Sequence, residues 1–204
     1  MKKLQKWRAL GFYGAYGKRF VDLILACAAL AVALLPMLII CILIRLTSRG
    51  EVIFKQERIG KGGEPFVCYK FRSMRADAPH DLPRTRFEEV ARYVTPIGGF
   101  LRRTSLDELP QIINVLKGDM SFVGARPLIP AEEAMHIGRA RGGVYALRPG
   151  ITGLAQVRGR DMIDDAQKLS YDLEYAEKIS FLLDVKIFFG TLLGALRGEN
   201  IRTE

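Results

Sequence analysis

The chain has 204 residues, 49% of them apolar, and a formal net charge of +9. This length favours one domain with a core of its own, and the apolar share excludes a disordered or low-complexity chain. The charge suits anionic partners such as headgroups, nucleotides or phosphates. Aromatics are only 9% and are not interleaved with arginine, so a nucleic-acid surface is not expected.

The first element is an uncharged apolar run of 22 residues, Leu23 to Ile44. As a helix it reaches roughly 33 Å, enough to cross a bilayer. It is too long for the apolar part of a signal peptide and lacks a small-residue cleavage site after it. Pro36 lies inside the run, removes a backbone donor and should kink it. Both flanks are basic, with Lys2, Lys3, Lys6, Arg8, Lys18 and Arg19 before it and Arg45, Arg49, Lys55, Arg58 and Lys61 after it. A spanning helix normally shows a Lys/Arg asymmetry, whereas a re-entrant segment returns to the same face. On charge and proline alone, both readings stand. Asp22 at the start of the run needs a partner in lipid, and Lys18 and Arg19 lie four and three residues earlier on the same helical face.

Residues 51–74 read as a β-hairpin turning at Gly60-Lys61-Gly62-Gly63, since the glycine cluster lacks phosphate-loop spacing. Residues 75–94 begin irregularly around Pro79 and Pro83 and then offer a short helix near Phe87–Tyr93. Residues 105–117 give the clearest helix: Leu106, Leu109, Ile112, Ile113 and Leu116 form one stripe. There Ser105 predicts an N-cap, Glu108 a capping box, and Lys117-Gly118 the C-terminal end. Residues 119–160, rich in Gly, Pro and Arg, read as loops. Helical pattern resumes near Asp164, and Ser180 to Leu196 predicts a core helix or one lying on a membrane. Cys27, Cys41 and Cys68 have no CxxC spacing and only His80 and His136 are present, so neither a zinc site nor a disulfide framework is expected.

Asp107 and Glu108 are the residues with most chemical promise, although acids at the first turn of a helix are often structural. The same position aims free N–H groups at anions and keeps a carboxylate ionised, fit to attack or to hold a divalent cation. Arg102 and Arg103 lie just before this helix, and Arg126, Arg158 and Arg160 lie on Gly/Pro-rich segments that suit phosphate binding.

Seven segments, in order, resemble the small monotopic phosphoglycosyl transferases, also called bacterial sugar transferases. They are Lys18-Arg19-Phe20-Val21-Asp22, Phe54 to Gly60, Tyr69 to Met74, Leu101 to Gln111, Asn114 to Gly124, Arg126-Pro127 and Pro149 to Val157. The likeness covers roughly residues 18–196 and is to the family's minimal catalytic form. It implies an α+β fold: a mostly helical membrane-associated domain with an N-terminal re-entrant helix, a short β-hairpin and C-terminal amphipathic helices. Residues 1–204 would form one catalytic domain, with the re-entrant helix at about 19–46 and the cytosolic-face catalytic part at 51–200.

The resemblance also implies the chemistry. Asp107 attacks the β-phosphate of a UDP-sugar, releases UMP and carries the phosphosugar until polyprenol (undecaprenyl) phosphate takes it. Glu108 assists, Mg2+ is the cofactor with Asp107 as a ligand, and Lys70, Arg126 and Arg158 or Arg160 contact phosphate. Pro36 is the helix breaker, and Lys18, Arg19 and Asp22 form an anchor at the headgroups. The expected place is the cytoplasmic face of a bacterial inner membrane, as the first membrane step of a glycoconjugate pathway. The partners are UDP-sugar, polyprenol phosphate and membrane lipid; a homo-oligomer is compatible with this. The sequence departs from the family pattern at Leu35, where Ser is common, at Ala125 for Pro, and at Arg158 for Asn. The competing readings are a membrane-anchored basic binding module without catalysis and a single-pass enzyme acting on soluble nucleotide sugars. Sugar specificity is expected in residues 75–95 and 128–148.

Overall fold

A computed structural model describes residues 11–75, 77–78, 92–159 and 162–197, with side chains as far as residue 194. A π-helical turn, Tyr13–Gly17, runs directly into the long helix α1, Lys18–Thr47. The helix continues on both sides of Pro36. Three buried-residue spacings mark the side of α1 that meets the protein: Lys18-Asp22-Ala26, then Ala33, then Ile40-Ile44. The remaining surface is apolar and open, as at Val32, Leu34, Leu35 and Leu46.

The expected hairpin is present. Strands β1, Ile53–Ile59, and β2, Pro65–Phe71, pair antiparallel with Phe54 opposite Lys70 and Gln56 opposite Cys68. The turn takes positive φ at Gly62 (80°) and Gly63 (82°), a conformation glycine adopts without Cβ strain. Helix α2, Pro96–Thr104, is capped by Thr95, whose hydroxyl accepts from the Gly98 amide at 3.0 Å. The helix α3 spans Gln111–Lys117 and ends at Gly118 with φ 93°, its amide donating to Asn114 and Val115 carbonyls. The helix candidate at Phe87–Tyr93 lies largely outside the described residues.

The stretch read as loops holds more order than expected. Strand β3, Ser121–Val123, pairs parallel with β4, Gly150–Thr152. Between them lies α4, Glu133–Gly142, and after them α5, Leu154–Arg158. Glycines allow this close approach: a Cβ on Gly150 would lie 2.1 Å from the Gly124 nitrogen, and one on Gly153 would lie 2.2 Å from the Gly124 oxygen. Helix α6, Asp165–Lys178, opens with a capping box in which Asp164 and Gln167 exchange side-chain and backbone hydrogen bonds. The last helix, α7, spans Phe181–Arg197. One side of it is buried, at Asp184 and Ile187, while Phe181, Leu182, Phe189, Leu192 and Leu193 are exposed.

Three apolar clusters join these elements. Val123, Leu147, Leu154, Tyr175 and Ile187 unite the parallel strands with α5, α6 and α7. Ala26 and Ala33 of α1 pack with Cys68, Ile112, Val115 and Met120. Ile40 and Ile44 pack with Phe71 and Leu101, and Leu106 and Leu109 join that cluster. Helix α1 is therefore seated along most of its length on β2, α2 and α3. The result is an α+β arrangement with one long apolar helix.

Polar contacts hold the start of α1, though not as the local spacing suggested. Lys18 forms a buried salt bridge with Asp184 of α7 rather than with Asp22. Asp22 accepts instead from the Ser121 hydroxyl and the Phe122 amide, both at 3.0 Å. Arg19 donates to the carbonyls of Val115 (2.5 Å) and Leu116 (3.0 Å). These residues are anchors to the protein: burial removes water, so each charge must find a partner, and the nearest ones come from distant segments.

Candidate active site

Helix α2 stops because Ser105 is left-handed, with φ 58° and ψ 15°. It is the only non-glycine residue with positive φ among the described residues. A single 3-10 turn, Leu106–Glu108, follows, and Pro110 then leads into α3. The expected single helix over 105–117 is thus a corner plus a shorter helix. Pro110 explains the division: it has no N–H to bond back to Leu106, but it fits the start of a helix. The capping box is absent too, since Ser105 makes no side-chain cap.

Glu108 looks outward from this corner. Its Oε1 accepts from Lys70 Nζ at 2.8 Å and from Arg126 Nη2 at 2.9 Å. Two charge-assisted bonds outcompete one local cap. Lys70 comes from β2, and Arg126 from the segment just after β3. Asp107 stands beside Glu108 with only 5% of its surface exposed. Leu106 and Leu109, on either side of the acid pair, pack on the cluster containing Ile40 and Ile44, so this corner rests on α1.

The ground next to Glu108 is a small recess lined by Arg58, Cys68, Lys70, Gln111, Arg126 and Pro127. Arg58 donates to the Pro127 carbonyl at 3.1 Å and to Gln56 Oε1 at 2.5 Å. Burial, and then the neighbouring Arg126, push its pKa below the usual arginine value. Burial pushes the Cys68 thiol up, against the pull of Lys70 and Arg58. Concentrated positive charge with little water is the environment in which an anionic diphosphate binds strongly.

Supporting contacts fix the walls. Asn114 is fully buried; it accepts from the Tyr69 amide (3.0 Å) and donates to the Val67 carbonyl (2.7 Å), tying β2 to α3 beside Lys70. Arg139 of α4 is also buried. Its Nε and Nη2 donate to Asp172 Oδ2 at 3.0 and 2.6 Å, while Nη1 donates to the Arg126 carbonyl at 2.8 Å. The main chain at Arg126 is thereby braced by a buried ion pair between α4 and α6.

The structure brings together Asp107, Glu108, Lys70 and Arg126 of the residues expected from sequence. It does not bring Arg158 to them: that side chain pairs with Glu174 at 2.7 Å and lies over the Tyr171 ring, 4.9 Å from its centroid. Arg160 lies outside the described residues. Arg58, Gln111 and Arg139 were missed as site residues. The hairpin alternation could have found Arg58, because Gln56, Arg58, Cys68 and Lys70 share one face of the sheet. Residues 128–148, read as a specificity loop, contain α4 and a 3-10 turn at Val144–Ala146.

Among the described residues no cluster of three His, Cys, Asp or Glu side chains could cage a metal. A small hard cation that keeps its waters and uses substrate phosphates needs only one or two carboxylates, and Asp107 and Glu108 are adjacent. That donor set fits Mg2+ and does not fit a soft metal.

The model of the bacterial sugar transferase family matches residues 13–198. The chain is 41% identical over 182 residues to the UDP-glucose:undecaprenyl-phosphate glucose-1-phosphate transferase of Escherichia coli K12, covering 86% of this chain and 39% of that protein. It thus spans about two fifths of that relative's length. It is 39% identical to the exopolysaccharide production protein PSS of Rhizobium leguminosarum, over 89% of this chain and 96% of that one. The uncharacterized sugar transferase EpsL of Bacillus subtilis is 37% identical, over 91% and 90% respectively.

Proposed function

This chain belongs to the bacterial sugar transferase family, and on that footing we propose that it moves a sugar 1-phosphate from a UDP-sugar to polyprenol phosphate. The name of the Escherichia coli relative makes UDP-glucose the first donor and undecaprenyl phosphate the first acceptor to test. The observation that carries the reading is the acid pair beside a basic recess: Glu108 bridges Lys70 and Arg126, with Asp107 next to it. Residues 1–204 act as one catalytic domain.

In the first half-reaction a carboxylate oxygen of Asp107 forms a bond to the β-phosphorus. The bond from that phosphorus to the bridging oxygen breaks, and UMP leaves with its electron pair. In the second, an oxygen of the lipid phosphate forms a bond to the same phosphorus and Asp107 is released unchanged. Covalent catalysis divides a displacement between two anions into two easier steps. Arg58, Lys70 and Arg126 draw the diphosphate into the recess, and Glu108 keeps the last two in place. Asp107 and Glu108 would hold Mg2+, which when bound supplies charge neutralisation at the diphosphate.

The seating of α1 supports a re-entrant rather than a crossing helix. Its buried stripe runs from Lys18 to Ile44 against the catalytic elements, leaving one lipid-facing side. A helix crossing the bilayer would carry those elements through the hydrocarbon with it. Both ends of α1 then lie on the cytoplasmic face of the bacterial inner membrane, and the exposed side of α7 rests on the same surface. The corner holding Asp107 sits on α1, within reach of a lipid phosphate.

The test is UMP release by the purified full chain, with UDP-glucose, Mg2+ and undecaprenyl phosphate. Multiple turnover with acceptor, and a burst near one UMP per enzyme without it, is the expected outcome. Continuous UMP release without acceptor would identify a hydrolase instead. Tags at both ends should be accessible only from the cytoplasm; labelling of the N-terminal tag from outside would mean that the helix crosses.

A further inference from the structure

Helix α3 carries two buried amides that are used differently. Asn114 is 0% exposed and its side chain is fully engaged: Oδ1 accepts from the Tyr69 amide, while Nδ2 donates to the Val67 carbonyl and to Asp119 Oδ2 at 3.2 Å. Gln111, one turn earlier, is 2% exposed. Among the described residues its side-chain amide bonds to no protein group. Its nitrogen and oxygen are also not among the atoms sealed from solvent, so the little surface that Gln111 keeps includes the amide tip. A buried polar group without a partner lowers stability, and native proteins keep few of them.

The opening beside that tip identifies its partner. Gln111 lines the recess together with Arg58, Lys70 and Arg126, and Cys68 and Pro127 complete the wall. Three cations gather there around Glu108, so the fitting guest is an anion with several oxygens. Attraction for such a guest is already supplied by the cations. A neutral donor adds direction instead: an amide packed into a wall holds one oxygen at a set place. Gln111 follows Asp107 by four residues across the corner at Pro110, so one short segment carries both the amide and the acid.

We propose that the Gln111 side-chain amide is a catalytic group of the transfer: its Nε2 donates to a non-bridging oxygen of the β-phosphate and holds that phosphorus in line with the Asp107 carboxylate. This rests on the sugar-phosphate transfer proposed above. The same phosphorus is attacked twice, first by Asp107 and then by the lipid phosphate, so the amide serves both steps.

The test is rapid-quench kinetics of the full chain in detergent, with UDP-glucose, Mg2+ and undecaprenyl phosphate, read beside thermal unfolding. Gln111→Met keeps the length of the side chain and removes the amide. It should lose about tenfold or more in kcat with KM for UDP-glucose within about twofold of wild type, because orientation rather than attraction is lost. The UMP burst without acceptor and the discharge of the adduct to acceptor should slow by similar factors. Its Tm should equal or exceed that of wild type, since no protein hydrogen bond leaves with the amide. Asn114→Leu is the stability control and should unfold at a lower temperature, because it breaks the bonds that tie β2 to α3. Gln111→Glu keeps the shape but replaces the donor with a carboxylate, and should lose more activity than Gln111→Met. Wild-type kcat in Gln111→Met would overturn the proposal, water then being the partner of the amide. So would a fall in Tm matching that of Asn114→Leu, which marks a structural amide, or a raised KM with kcat unchanged, which marks uniform binding. A slowed UMP burst with normal discharge would overturn it as well, since the amide would then hold the leaving phosphate. Each of these outcomes leaves wild-type turnover in place. Absence of UMP release by wild type would instead remove the transfer reading, and this proposal with it.

Discussion

Replacing Asp172 with alanine tests how the basic recess is built. Asp172 and Arg139 are each about 4% exposed at the side chain, and the carboxylate takes two of the arginine's nitrogens. Removing one partner strands a buried charge, which typically destabilises by about 3–5 kcal/mol. For a chain of this size that corresponds to a fall in Tm of about 6–20 °C. Replacing both partners, Arg139→Met with Asp172→Leu, removes the charge as well and should return Tm close to wild type. Activity should not return with it. The bond from Arg139 Nη1 to the Arg126 carbonyl is lost in the double variant, and a bond of that charged type contributes about 1.5 kcal/mol or more, about tenfold in kcat/KM. Thermal unfolding in detergent and UMP release, read side by side, separate the two effects. A double variant that regains both Tm and full activity would refute the idea that Arg139 positions Arg126.

Gly150→Ala should prevent folding, since its Cβ would meet the Gly124 nitrogen at 2.1 Å, whereas Gly99→Ala meets only Val94 at 3.8 Å and should fold normally; expression and Tm distinguish them. Cys68 should resist maleimide at pH 8 in the folded protein and react after denaturation, because burial keeps its proton on. The unfolded chain gives that proton up at a lower pH than the folded one, so this thiol's contribution to stability falls as pH rises above its unfolded value of 9.0. Chelation with EDTA should abolish UMP release, and Mg2+ should restore it; full activity in EDTA would remove the metal from the scheme.

The hairpin was legible because period-two alternation and a glycine turn are local signals. The helix starting at Asp165 was legible because helical periodicity resumes near Asp164, and its capping box joins two residues only three apart. The corner at Ser105 was misread for a physical reason. Ser-x-x-Glu predicts a local cap, but Glu108 is drawn to Lys70 and Arg126, 38 and 18 residues away in sequence. Pro110 was the neglected signal. The parallel pair of β3 and β4 was hidden because each strand has three residues in a stretch dominated by Gly and Pro, and parallel pairing leaves no local pattern. Lys18 found Asp184 across 166 residues, which helical spacing cannot anticipate.

Asp107 emerges as a buried acid on a strained corner, beside Glu108 and packed on the long apolar helix α1, rather than as a simple first-turn helix acid. Its proposed role is that of nucleophile. The most direct measurement is the intact mass of the full chain after incubation with UDP-glucose and Mg2+ but no acceptor lipid, followed by peptide mapping. One added hexose phosphate is expected on the peptide carrying Asp107, discharged by undecaprenyl phosphate and absent from Asp107→Asn. An adduct on another residue, or wild-type UMP release by Asp107→Asn, would contradict that role.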